Sequence, residues 1–207
     1  MGRQMGGILG PVRGKVSNVV GAQWKETAYF RGYTIPANPN TEAQQAQRAK
    51  MTTAVWYARA ILGSVINPYW DPFEKAYSGY NRFLSVNVKA MASGTAYESI
   101  MTSRGKLEKA SAMDGTTYTP ANGEIEITWT GNLMGNGLAT DKSLIVITDV
   151  VNKIAFISAG GATREDGSEV IDIGEGRTAA NLKSYLGFYR GTGTSLMVSD
   201  SLYEQSV

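Results

Sequence analysis

The chain has 207 residues, 43% of them hydrophobic and 18% charged, the balance of a folded protein with one good core or two modest ones. It contains no Cys and no His, which excludes disulfides, thiolate nucleophiles, zinc fingers and imidazole bases or ligands. The net charge of +2 hides a polarity: residues 1–106 hold 13 Lys/Arg against 5 Asp/Glu, and residues 107–207 hold 7 against 13.

Opposite poles favour head-to-tail contact between copies at least as naturally as contact with nucleic acid. The summed charge is too small for a dedicated DNA binder. No apolar run approaches the ~20 residues of a membrane helix. Met1–Gly10 lacks the apolar core of a signal peptide, and the myristoylation pattern fails at Gly6. Neither a membrane partner nor a cofactor is expected.

Residues 1–33 form a basic arm with seven Gly, where Arg3, Arg13, Lys15, Lys25 and Arg31 face one acid, Glu26. From Val12 the residues alternate, Val12, Gly14 and Val16 against Arg13 and Lys15, which is the period of a strand. A second extended run, Val19 to Phe30, carries Trp24, Tyr29 and Phe30. The two runs suit a hairpin turning at Ser17-Asn18, and a lone hairpin is marginal in water. Three readings stand open: a hairpin folded onto its own chain, a strand lent to a neighbouring subunit, and a nucleic-acid arm. Arg13, Lys15, Trp24 and Arg31 are the candidate subunit-contact residues.

A helical region spans residues 34–94. After the proline-punctuated connector Ile35 to Asn40, Thr41-Glu42-Ala43-Gln44 fits a capping box. The helix it opens runs to about Ile66, with Ala54, Tyr57, Ile61 and Val65 on a core stripe widened by Met51, Val55 and Leu62, and Trp56 beside it. It should stop before Asn67-Pro68. Asp71-Pro72 starts a short helix with a break at Gly79, followed by another to about Ala92. The aromatics Tyr69, Trp70, Phe73, Tyr77, Tyr80 and Phe83 read as a seam between helices.

Past Ser93-Gly94-Thr95 the period changes to two. Gly123–Thr130 puts Ile125, Ile127 and Trp129 inward and Glu124, Glu126 and Thr128 outward. Leu144–Thr148 fits a central strand, and Lys153–Ser158, Glu169–Ile173, Leu182–Tyr189 and Leu196–Leu202 complete at least six. The fold class is therefore α+β: an N-terminal β arm, two to three helices, and an antiparallel β-sandwich over residues 95–207. Trp129 and Tyr185 resemble the buried Trp and Tyr of fibronectin type III and immunoglobulin-like domains, a likeness of fold without function.

No segment spells out a chemical activity, and no enzyme is expected. Gly10-Pro11-Val12-Arg13-Gly14-Lys15-Val16 fails as a phosphate loop, because the glycine spacing is short and Val16 replaces the Mg-binding Ser or Thr. Glu124 and Glu126 could pair for glycoside chemistry, but alternation makes them a solvated face. No Ser has the elbow of a hydrolase nucleophile.

Some stretches carry a likeness to known sequences: Gly7-Ile8-Leu9-Gly10-Pro11-Val12-Arg13-Gly14-Lys15-Val16, Asn18-Val19-Val20-Gly21, Trp24-Lys25, Pro39-Asn40-Thr41-Glu42-Ala43-Gln44, Gln47-Arg48-Ala49-Lys50 and Gly79-Tyr80-Asn81. Later come Ser103-Arg104-Gly105-Lys106-Leu107, Ile127-Thr128-Trp129, Asp141-Lys142 and Val198-Ser199-Asp200-Ser201-Leu202-Tyr203. With these the chain resembles an uncharacterised domain family of Bacteroidetes genomes and their phages. The resemblance brings no catalytic residues. It implies a structural protein of a tailed bacteriophage virion (neck, tail or capsid-associated), made in the host cytoplasm, contacting its own copies and other virion proteins. The alternatives are an adhesion or carbohydrate-binding module and a packaged nucleic-acid-associated protein.

Overall fold

The computed structural model describes residues 3–4, 10–35, 37–74 and 76–206. The readings made on Gly6, on Gly7-Ile8-Leu9 and on Pro36 of the connector lie outside them. The chain is α+β and divides into two compact units, residues 1–41 and 42–207.

The first unit is an antiparallel meander of β1 (Arg3–Gln4), β2 (Val12–Val16), β3 (Val19–Trp24) and β4 (Thr27–Gly32), in that order. The turn at Ser17-Asn18 falls where expected. The single run from Val19 to Phe30 does not hold: it folds back at Lys25-Glu26 into two strands. Both two-residue turns place a non-glycine residue at positive φ, Ser17 and Lys25 at 52° each, which is the backbone a tight hairpin demands. Neither turn contains glycine, so the sequence hides the second one.

In the second unit α1 (Glu42–Ala60) carries Ala54, Tyr57 and Ala58 into the core, while Met51 and Leu62, at the margins of the expected stripe, are exposed. The helix ends at Ala60, short of Asn67-Pro68, but helical turns carry the chain on through that pair. Residues Leu62–Ile66 form a π turn in which Ile61 O accepts from both Val65 N and Ile66 N, at 2.9 and 3.1 Å. The chain then re-enters α geometry as α2 (Asn67–Tyr69), with Pro68 in its first turn.

Asp71-Pro72 yields only a 3-10 turn, Asp71–Phe73. Gly79 is not a break but the first residue of α3 (Gly79–Ala90), capped by Ser78 Oγ accepting from Asn81 N at 3.3 Å. Any side chain on Gly79 would meet Asp71 and Trp70, which explains the glycine. Of the expected aromatic seam, Tyr69, Trp70 and Phe83 are buried, whereas Phe73 and Tyr77 face solvent.

Eight strands follow: β5 (Ala112–Thr119), β6 (Glu124–Thr130), β7 (Lys142–Asp149), β8 (Ile154–Thr163), β9 (Ser168–Asp172), β10 (Leu182–Arg190), β11 (Met197–Val198) and β12 (Leu202–Gln205). They form two antiparallel sheets, one ordered β5-β6-β9 and one β11-β10-β7-β8 with β12 also on β10. The expected single strand Leu196–Leu202 is two short ones. β5 escapes sequence reading because it is mostly polar and bulges between Met113 and Gly115.

Alternation along β7 assigns the layers. Ile145 and Ile147 pack with Ile125, Ile127, Trp129, Leu186 and Phe188 between the sheets. Leu144 and Val146 point the other way, with Tyr185, into a core shared with Tyr57, Ile61, Ile66 and Phe83 of the helical segment. The continuous apolar run in β7 thus reflects burial on both faces. Tyr185 does not join Trp129 between the sheets; it faces the helices. There Tyr57 Oη lies 2.9 Å from Thr148 Oγ1 and 3.1 Å from Tyr185 Oη, which donates to Tyr97 O at 3.0 Å. Burial raises both phenols above their ordinary pKa, so they stay neutral donors.

Asp149 closes the β7–β8 turn. Its Oδ1 accepts from Val151 N and Asn152 N, and its Oδ2 from Asn152 Nδ2 and from Arg177 Nη1 at 3.1 Å. Burial pushes this carboxyl up, and the hydrogen bonds outweigh burial, leaving its pKa below the usual value. A depressed folded-state pKa gives stability that is complete above the unfolded value and lost as pH falls through the folded one. Asp149→Ala should therefore lower the melting temperature clearly at about pH 7, and the drop should shrink as pH falls through the depressed folded-state value. A drop that stays constant down to the acid-unfolding limit would mean that the charge plays no part.

Candidate functional site

The meander offers a concentrated surface. Its register sets Lys15 opposite Val20, Val20 opposite Arg31, Ala22 opposite Tyr29 and Trp24 opposite Thr27, so these side chains share one face. Lys15 Nζ sits 3.4 Å from the Tyr33 ring centroid, and Lys15, Val20, Arg31 and Tyr33 line a shallow hollow. Trp24 is 71% exposed and Phe30, on the opposite face, 64%. Strands β2, β3 and β4 contain no Asp or Glu.

Of the four residues named from sequence, Lys15, Trp24 and Arg31 share one face: Lys15 and Arg31 flank Val20, and Trp24 lies further along β3, next to the second turn. Arg13 does not join them. The β2–β3 pairing extends only from Val16 to Gly14, which takes φ of 96°. Beyond it, Val12 O occupies the place where a Cβ on Gly21 would project. Arg13 donates instead to Gln23 Oε1 at 2.7 Å. Tyr33 was missed, because nothing in a linear pattern announces that it will lie under Lys15.

In the second unit, the outer face of the β5-β6-β9 sheet has the opposite character. Glu124 pairs with Asp172 and Glu126 with Val170, flanked by Thr119 and Thr117. The three carboxylates are exposed, and no Lys or Arg occurs in these strands. Glu124 and Glu126 stand on this solvated face with their neighbours and no convergent groups.

A buried ion cluster lies at one end of the two-sheet stack. Arg164 is fully buried, its Nη2 3.1 Å from Asp141 Oδ2. The guanidinium donates to Asn132 O at 3.2 Å and Glu108 O at 2.6 Å and lies 4.1 Å from the Phe188 ring centroid. Burial pulls the Arg164 pKa down and Asp141 opposes the shift. Arg190 Nη1 approaches Asp141 Oδ1 to 3.2 Å, inside ion-pair range but outside hydrogen-bond geometry, so the contact is coulombic. With its guanidinium tied to one carboxylate and two main-chain carbonyls, this cluster is a structural clasp.

Two stretches far apart in sequence meet beside a groove. Segment 102–107 runs along 198–201: Leu107 N donates to Val198 O at 3.0 Å, Ser201 N to Ser103 O at 3.0 Å, and Gly105 N to Asp200 Oδ1 at 3.0 Å. The groove, about 550 Å³, is lined by Trp70, Phe73, Arg82, Arg104 and Lys106, with Met197 among the apolar residues. Among the described residues no group of three or more acids is placed to hold a metal ion, and no helix is long and apolar enough to cross a membrane.

No curated protein and no solved structure matches the chain. The sequence model of one family does, over residues 11–204, a span that takes in the arm strands β2 to β4, the helices, the acidic sheet and the groove. The chain belongs to that family, a family of unknown function designated DUF6266.

Proposed function

We propose that the protein is a non-enzymatic assembly protein, present in several copies as a neck, tail or capsid-associated part of a tailed-bacteriophage particle. The observation that carries this reading is the pair of complementary surfaces. A basic, aromatic face without acids lies on the arm, and an acidic face without cations lies on the β5-β6-β9 sheet. Laid on each other between copies, they give a heterologous contact that repeats. The eight strands after the helices supply a rigid body. Their order, β5-β6-β9 facing β12-β10-β7-β8, with Trp129 buried between, supports a fibronectin-III-like sandwich. The virion setting rests on the sequence resemblance.

Charge reversal tests the contact. Lys15→Glu with Arg31→Glu, and separately Glu124→Lys with Glu126→Lys, should each leave the chain monomeric at concentrations where the wild type associates. Mixing the two variants should restore association, since each then meets an opposite face. Mass photometry reads all three samples. Wild-type-like mass distributions for both variants would sink the reading. Mass spectrometry of purified particles from a strain carrying the gene tests the virion setting separately.

A further inference from the structure

The groove between α3 and the strip formed by 102–107 and 198–201 has no role in the assembly contact, and its lining is specific. Trp70 is fixed by Nε1 donating to Thr102 O at 2.9 Å, and Phe73 is 46% exposed at the mouth. Arg82 is held by Glu74 at 3.0 Å. Arg104 and Lys106 flank Gly105, whose missing side chain lets the segment press against Val198 O. Among the described residues neither Arg104 nor Lys106 has an ion-pair partner.

We infer that this groove binds a short acidic peptide segment of another protein, one or two carboxylates on Arg104 and Lys106 and a large apolar side chain against Phe73 and Trp70. Three cations against Glu74 attract a carboxylate, and the exposed ring beside them offers an apolar anchor. A volume of about 550 Å³ admits a few side chains rather than a folded surface. A polyanion fits poorly. Glu108 borders the strip and Asp200 belongs to it, and residues 107–207 carry 13 acids against 7 bases, so an extended phosphate backbone would leave the two cations for a repulsive surface.

A random heptapeptide display library panned on the full chain, with counter-selection on the Arg104→Glu/Lys106→Glu variant, tests this directly. The expected consensus has one or two Asp or Glu beside Leu, Phe or Trp. The synthetic consensus peptide should bind the wild type about tenfold more tightly than that variant, and more tightly than Phe73→Ser. All three positions are exposed, so melting curves should overlay. Selected peptides without acids, peptides that bind the double variant equally, or full displacement by oligothymidylate would each overturn the inference. None of these outcomes bears on the arm contact, whose own variants lie elsewhere.

Discussion

Asp141→Leu is expected to destabilise the fold by about 3–5 kcal/mol, the cost of leaving a buried cation without its counter-charge. Asp141 is fully buried and touches Arg164, Arg190 and Leu138 N at once. Its loss strands a guanidinium that has no route to water and strips Leu138 N of its acceptor. At roughly 2–4 °C per kcal/mol for a unit of this size, the melting temperature should fall by about 6–20 °C. The double variant Asp141→Leu/Arg164→Met should recover much of the loss, because the pair is removed with its charge. Thermal denaturation of the three variants decides. A single Asp141→Leu variant that melts within about 2 °C of wild type would refute the clasp.

Trp129→Ala should cost about 3–5 kcal/mol, whereas Trp24→Ala should change unfolding by under about 0.5 kcal/mol. Sequence alone gives both residues the same look, an aromatic in an extended run. Trp129 is 3% exposed, donates Nε1 to Arg164 O at 3.1 Å and meets Phe188 edge-on with centroids 6.0 Å apart. Its removal opens a cavity between sheets that cannot close, because β6 is held by strands on both sides. Trp24 is 71% exposed, so its truncation takes little from the folded chain. Denaturant titration of both variants separates the cases, and comparable losses would mean that Trp24 packs as Trp129 does. The assembly reading adds one condition: Trp24→Ala should weaken association while leaving the monomer intact.

The alternation of β6 and the unbroken run of β7 were legible because burial on one face or two writes itself into the order of apolar residues. The class of fold followed from that. What stayed hidden were features with no periodic signature. The fold-back at Lys25-Glu26 uses a lysine at positive φ in place of the glycine that would have announced it. The continuation through Asn67-Pro68 depends on one extra residue in a π turn, which no local propensity encodes. β5 is a strand by virtue of its neighbours. On the arm, alternation puts Lys15, Trp24 and Arg31 on one face, while Arg13 turns to Gln23 because strict alternation fails at Gly14. The groove was legible only as two unrelated motifs, since 90-odd residues separate the segments that build it.

The clasp around Arg164 also governs where the molecule tolerates change. One guanidinium grips carbonyls from residues 108 and 132 together with the Asp141 carboxylate, and Arg190 adds Asn136 O at 3.0 Å. The connections that meet at this end therefore share a single fastening, and altering the length of one near its anchor loosens the others. Met134, in the turn between the anchored Asn132 and Asn136, has a side chain that is 79% exposed. A fluorophore attached through Met134→Cys changes no connection length, so it labels the folded body and leaves the fastening in place.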